Sequence, residues 1–261
     1  ETGLSAGLFY FPNYGRYEAY DPALKSSSVA DLQLVPLVLS TCRDVGEVEE
    51  LIGRIRVINI DPRASTVHWR FADHSGRQVV LEFIGGPVFY ENKLGVLTNS
   101  PGFDWQLTNL NNYVNLYAGS APDHDMGGVR LAAFGAGSGM LGIPGDVTPP
   151  SRFVRAAFYQ TTAPKQAEAE ATVLQSFQIL NNFDIPIGVE FAAGKVPADI
   201  PSATQWTSAT DITNRRIYYR TMHDSAIRCF DLATIDFMKV KYRALPLDEV
   251  RQQPIVRMKV R

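Results

Sequence analysis

From residue 67 to residue 90 the chain leaves little room for anything but adjacent antiparallel strands. Val67-His68-Trp69-Arg70-Phe71 alternates, Asp73-His74-Ser75-Gly76 is a turn, and Gln78-Val79-Val80-Leu81-Glu82-Phe83 reads as the returning hairpin partner. Gly85-Gly86 turns the chain again into a short Val88-Phe89-Tyr90. Links this short cannot carry a helical crossover, so the strands they join pair antiparallel. Residues 3–11 read as a further buried strand, followed by the aromatic loop Phe11-Pro12-Asn13-Tyr14-Gly15. Residues 94–97 read as a strand running into a polar knot.

Helix patterns come in pairs. Residues 29–41 carry Leu32, Val35 and Leu39 at helical spacing, with Pro36 predicting a kink or a late start. Asp44 begins a second helix with Glu47 at capping-box spacing and Val48, Leu51, Ile52 and Ile55 as its apolar stripe. Later, Pro149-Pro150-Ser151 predicts a helix start with Ser151 as cap, and Pro164 opens another that runs to Asn181-Asn182. Strands return at 205–212, 216–222 and 226–232, and the residues after Phe237 read as a last strand and an extended tail. Residues 119–151 form a long loop rich in glycine and proline, which in a domain is usually functional or an assembly arm. Strand runs and helix pairs in blocks argue for α+β: one domain over 1–261 with two layers of antiparallel sheet and two helix pairs.

Composition narrows the function. The chain has 261 residues, 45% hydrophobic and 20% charged, enough to bury a core without staples. A formal net charge of -2 with no basic block gives no electrostatic reason to expect nucleic acid or an anionic membrane as partner. The apolar runs are too short for a membrane span. The two cysteines, Cys42 and Cys229, have neither a redox nor a zinc spacing and read as buried small hydrophobes, although a disulfide between them stays open. The four histidines are scattered, without the paired spacing of a catalytic metal, so neither metal nor cofactor is expected. His68 reads as a half-buried strand residue and Asp73 as a turn former. The glycines of the long loop lack phosphate-loop spacing.

Thr98-Asn99-Ser100-Pro101-Gly102 is the stretch that core packing does not explain. It places a side-chain amide between two hydroxyl residues, just ahead of a short amphipathic run. A reaction that builds negative charge on an oxygen needs such a donor. Arg152 is a second, milder oddity, since a cation in the first turn of a helix opposes the helix dipole, although read alone it is a surface charge.

Gly95-Val96-Leu97-Thr98-Asn99-Ser100-Pro101-Gly102-Phe103-Asp104-Trp105 and Thr108-Asn109-Leu110-Asn111-Asn112-Tyr113 resemble the choloylglycine hydrolase family, which holds conjugated bile acid hydrolases and penicillin V acylases. So do residues 141–153, residues 3–14 and residues 221–232, in order along the chain. The resemblance implies an N-terminal-nucleophile hydrolase with a four-layer αββα sandwich, usually a homotetramer. Its nucleophile is a cysteine at the mature N-terminus, whose thiol attacks an amide carbonyl to give a thioester while its α-amino group shuttles the proton. An α-amino group has an ordinary pKa of about 8, well placed for that work.

By the same resemblance Asn99 matches the oxyanion asparagine and Arg152 the arginine beside the nucleophile. Tyr10 matches the position that is tyrosine in many penicillin V acylases and asparagine in bile acid hydrolases. Its backbone N–H would be a second oxyanion donor, and its ring would face the acyl group. The family's cysteine lies upstream of the strand at Gly3-Leu4, so the nucleophile is expected in a missing segment or partner chain, with the first strands of the fold. The opening residues show no leader pattern, but Glu1 does not read as a natural start, so the compartment stays open with the cytoplasm slightly favoured.

The expected function is therefore an amidase acting on linear C–N bonds, penicillin V acylase-like or bile salt hydrolase-like, with a small-molecule amide as substrate and penicillin V-like acylation placed slightly ahead because of Tyr10. Acyl-homoserine lactone acylation is a third substrate within the same chemistry. The competing reading is a non-catalytic αββα binding or structural module. Retention of both Asn99 and Arg152 weighs against it.

Overall fold

The computed structural model describes residues 2–59, 61, 65–196, 203–242 and 244–259. The chain divides into two compact units, Glu1–Ala163 and Pro164–Arg261. In both units helices accompany sheets that are mostly antiparallel, as the block pattern of the sequence predicts.

The first unit opens with β1 (Ser5–Tyr10). A short β2 (Ser28–Ala30) leads through a 3-10 turn into α1 (Leu34–Thr41), and α2 (Val45–Ile52) follows. β3 (Arg56–Ile58) pairs parallel with β2. Then come β4 (Val67–Ala72), β5 (Gln78–Phe83) and β6 (Pro87–Glu91), closing a sheet of order β1-β4-β5-β6 in which every neighbour is antiparallel. α3 (Phe103–Asn109), a small hairpin of β7 (His124–Met126) and β8 (Val129–Leu131), and α4 (Pro149–Thr162) complete the unit.

The first helix departs from its expected bounds. Residues 28–30 are taken by the pairing with β3, so α1 starts late at Leu34. Pro36 then falls in the first turn, where no backbone donor is needed. The late start also changes the buried face. Leu34 and Val38 are buried, whereas Leu32 and Leu39 are 57% and 47% exposed. The second helix follows its cap. Asp44 accepts from the Glu47 amide at 2.9 Å, and the Glu47 carboxylate accepts from the Arg43 amide at 2.7 Å. Asp73, besides making its turn, accepts from the Val45 amide at 3.1 Å and so holds the start of α2.

Residues 94–97 form no strand. Gly95 takes a left-handed φ of 69°, and the buried Asn92 side chain donates to the Val96 carbonyl at 3.0 Å in place of a neighbouring strand. Residues 119–151 are not structureless either. They hold β7 and β8, joined over Gly127-Gly128, both with positive φ, as a two-residue hairpin turn requires.

The two central strands, β4 and β5, are buried on both faces, whereas the edge strands β1 and β6 are partly exposed. Val67, Trp69, Phe71, Val79, Leu81 and Phe83 pack with Leu34, Val38, Val45, Val48 and Ile52 of α1 and α2. On the other face Val80 packs with Val96, Phe103 and Phe153, which brings α3 and α4 into a second cluster. Cys42 is buried, and its thiol is pushed up by burial.

The second unit contains α5 (Ala169–Leu180) and a sheet of β9 (Trp206–Asp211), β10 (Arg216–Thr221) and β11 (Arg228–Asp231), ordered β11-β10-β9. The helix begins five residues after Pro164, because Glu168 is still extended. Cys229 lies on β11 and is exposed rather than buried, and both cysteines are free. Among the described residues no strand follows β11, so the last strand expected after Phe237 does not form there.

Candidate active site

The site is assembled from three distant stretches of the first unit. β1 ends at Tyr10, the loop ahead of α3 carries Asn99, and α4 begins three residues before Arg152. Asn99 Nδ2 donates to the Tyr10 carbonyl at 2.7 Å, and Arg152 Nη2 donates to Asn99 Oδ1 at 2.7 Å. An acceptor on one side and a cationic donor on the other leave one orientation for the amide. One N–H of Nδ2 remains beyond the bond to Tyr10.

Register decides what β1 offers. Tyr10 stands opposite Val67, while the Phe11 amide donates to the Thr66 carbonyl at 2.8 Å. Antiparallel pairing alternates, so the N–H and C=O of Tyr10 both point away from β4 toward the open edge of β1. That is the edge where Asn99 docks. The Tyr10 ring lies on the Val67 side of the sheet and is 57% exposed.

Neighbouring bonds fasten the Asn99 loop. Ser100 Oγ donates to the Pro12 carbonyl at 2.7 Å, and Thr98 Oγ1 donates to the Pro149 carbonyl at 3.1 Å. One loop is thereby tied both to the segment after β1 and to the start of α4.

The start of α4 explains Arg152. Thr148, not Ser151, is the capping residue, with Pro149 and Pro150 filling the first two positions. Asp146 organises the turn. It accepts from the Thr148 amide at 2.9 Å and the Ser151 hydroxyl at 2.6 Å. Together with the bond from the Thr148 hydroxyl, these hold its carboxyl at about 2, below the ordinary carboxylate range. Arg155 donates to the Pro144 and Asp146 carbonyls, both at 2.7 Å. Helical side chains lean toward the N-terminus, so the Arg152 guanidinium swings back over the first turn. There Nε donates to the Val147 carbonyl at 2.9 Å and Nη2 reaches Asn99. The cation answers carbonyl oxygens rather than opposing amide groups.

The three residues expected from the sequence thus meet in one place. What the sequence reading missed lies directly beneath. His68 is fully buried, not half-buried. Its Nδ1 is 2.9 Å from Glu82 Oε1 and its Nε2 is 3.1 Å from the Thr98 carbonyl. The Phe11 ring stacks on the imidazole, centroid to centroid at 4.3 Å. The available signal was the hairpin itself. Trp69 pairs with Leu81, and one further step of the same register sets His68 against Glu82, two polar residues inside otherwise apolar strands.

Among the described residues no group of three His, Cys, Asp or Glu side chains is placed to hold a metal ion, and no helix is long and apolar enough to cross a membrane.

The chain as a whole is similar to known proteins. A family model for the linear amide C–N hydrolases, choloylglycine hydrolase family, matches residues 1–242. A bile salt hydrolase/transferase from Lactiplantibacillus plantarum is 34% identical over 238 residues, covering 89% of this chain and 71% of the relative. A penicillin V acylase from Pectobacterium atrosepticum is 25% identical over 270 residues, covering 95% of this chain and 64% of the relative. Among solved structures, a mutant of the conjugated bile acid hydrolase from Clostridium perfringens superposes with a TM-score of 0.85 at 29% identity, covering 99% of this chain and 78% of that one. The chain therefore belongs to the linear amide C–N hydrolases of the choloylglycine hydrolase family, and its chemistry is amide C–N hydrolysis.

Proposed function

We propose that the chain is the larger part of a cysteine N-terminal-nucleophile amidohydrolase in which Asn99, Tyr10 and Arg152 form the acyl-transfer site. The observation that carries this reading is the Asn99 amide, oriented by Arg152 and by the Tyr10 carbonyl with one N–H to spare. That N–H and the outward-facing N–H of Tyr10 form the oxyanion pair. The Tyr10 ring borders the acyl group. Arg152 holds Asn99 and lends positive charge beside the thiol.

The nucleophile comes from residues outside these 261. Neither Cys42 nor Cys229 has a free α-amino group, since both lie within the chain, and Cys42 is buried with its thiol pushed up. In the reaction the thiolate forms a bond to the substrate carbonyl carbon, and negative charge collects on the carbonyl oxygen. The C–N bond then breaks as the amine leaves with a proton from the α-ammonium group. Water hydrolyses the thioester, releasing the acid and restoring the thiol.

The likeness to the C. perfringens structure favours a four-layer αββα sandwich built as one domain with the missing first strands, and the family resemblance favours a homotetramer. For substrate, the higher identity of the bile salt hydrolase relatives puts an amino-acid-conjugated bile salt first. Tyr10 keeps penicillin V second, since an aromatic ring suits a planar acyl group.

The test is amine release by the full-length enzyme from a glycine-conjugated bile salt and from penicillin V, with Asn99→Ala alongside. Loss of one oxyanion donor should lower kcat by about 100- to 1,000-fold, or ~3–4 kcal/mol. Unchanged turnover would remove Asn99 from the site.

A further inference from the structure

Asn99 is held by more than its own side chain. The two peptide groups that flank its Cα are each pinned by a buried side chain. His68 Nε2 meets the Thr98 carbonyl at 3.1 Å, and Gln106 Nε2 donates to the Asn99 carbonyl at 3.4 Å. Both contacts trace back to one atom. Glu82 Oε1 faces His68 Nδ1 at 2.9 Å and accepts from the Phe103 amide at 2.9 Å, at the start of the helix that carries Gln106. His68, Glu82 and Gln106 are each 1% exposed or less.

We infer that Glu82 and His68 are positioning residues for amide hydrolysis, a buried hub that sets the backbone of Asn99 and so aims its spare N–H. This rests on the proposed role of Asn99. The Thr98 carbonyl can only accept, so His68 Nε2 carries a hydrogen. One further proton joins His68 Nδ1 to Glu82 Oε1, held on the ring or on the carboxyl, and Oε1 uses a separate lone pair to accept from the Phe103 amide. Glu82 Oε2 has no hydrogen-bond partner among the described residues, and Gly102 lies so close that an added Cβ would stand 3.1 Å from it. A half-satisfied carboxylate in an apolar layer is a poor stabiliser compared with a well-packed apolar pair. Its contacts make sense as geometry: one rigid group fixes two peptide planes on either side of a reacting donor.

The experiment replaces both partners without leaving a buried charge. In His68→Phe with Glu82→Gln, a ring still stacks on Phe11 and an amide oxygen still accepts from Phe103, but the hold on Thr98 is gone. With folding checked by thermal melting, kcat for the substrate the enzyme cleaves should fall about 10- to 100-fold, the usual penalty of misplacing a reacting group by about 1 Å, with KM within about twofold. Introduced into Asn99→Ala, the same pair should cost less than about twofold more, because two changes acting through one group do not add. A folded double variant with unchanged kcat overturns the inference, and so does an equal further loss in the Asn99→Ala background. Should the double variant not fold, His68→Phe alone, which also removes the hold on the Thr98 carbonyl, is read by the same two criteria. Wild-type turnover in Asn99→Ala by itself marks the different failure, that of the catalytic reading of Asn99.

Discussion

The two faces of the β1-β4-β5-β6 sheet are built on different principles. Over the two central strands, one presents Val67, Trp69, Phe71, Val79, Leu81 and Phe83 to α1 and α2, and these side chains are all apolar. The other interleaves Val80 with His68, Arg70 and Glu82, and against it lie the Asn99 loop and the starts of α3 and α4. On the dry face the energy comes from area and fit, and no single contact has a direction. On the polar face each group depends on a partner at a set distance. Arg70 shows the constraint: burial pulls its guanidinium down, and it is satisfied through Gln78 on the neighbouring strand. The difference teaches that this sheet is held by buried area on one side and by directed partners on the other.

Substitutions on the two faces should separate those tasks. The largest effect on stability is expected from Trp69→Ala, which empties the centre of the dry face. It should cost about 3–5 kcal/mol in urea unfolding, while turnover per folded molecule stays near wild type. A stable variant, or one that loses turnover while folded, would break the distinction. Arg152→Lys probes the other side. Lysine keeps the charge but cannot span the Val147 carbonyl and Asn99 Oδ1 in a fixed fork. A drop in kcat on the order of tenfold is expected with the melting point nearly unchanged. Wild-type kcat would show that charge alone suffices there.

The smallest effect concerns Asp146. Its folded pKa of about 2 lies below the ordinary value of about 4 for an aspartate. A depressed carboxylate contributes stability that is present above the unfolded value and lost as pH falls through the folded one. Melting temperature should therefore decline between about pH 4 and about pH 2 more steeply in the wild type than in Asp146→Asn. Identical acid limbs would mean that the start of α4 does not depend on that charge.

Much of the fold was legible because its signals are local. The 67–83 hairpin, the Asp44 cap and the proline pair at 149–150 each act within a few residues, and each element forms where its signal lies. The errors came where a distant partner won. Leu32 and Leu39 had helical spacing, but pairing of residues 28–30 with β3 moved the helix start and with it the buried face. Residues 94–97 had strand composition, but the Asn92 side chain took the carbonyl that a strand neighbour would have used. For the site, Asn99 was legible as an amide without a packing role, and Arg152 as a misplaced cation. His68 and Glu82 were passed over because a polar residue in a half-apolar strand usually faces solvent.

By itself the sequence determined the antiparallel hairpin at 67–83, the helices after Asp44 and Pro149, the family and the three residues that meet at the edge of β1. Periodicity, caps and turns are properties of neighbouring residues, so they survive without the fold. Only the tertiary structure decided how Asn99 is held: which way its amide points, and that the carbonyls on both sides of its Cα are fixed by buried side chains. Those bonds join residues from 7 to 89 positions apart in the chain. Hydrogen-bond direction over such separations is set by packing, and no local pattern encodes it.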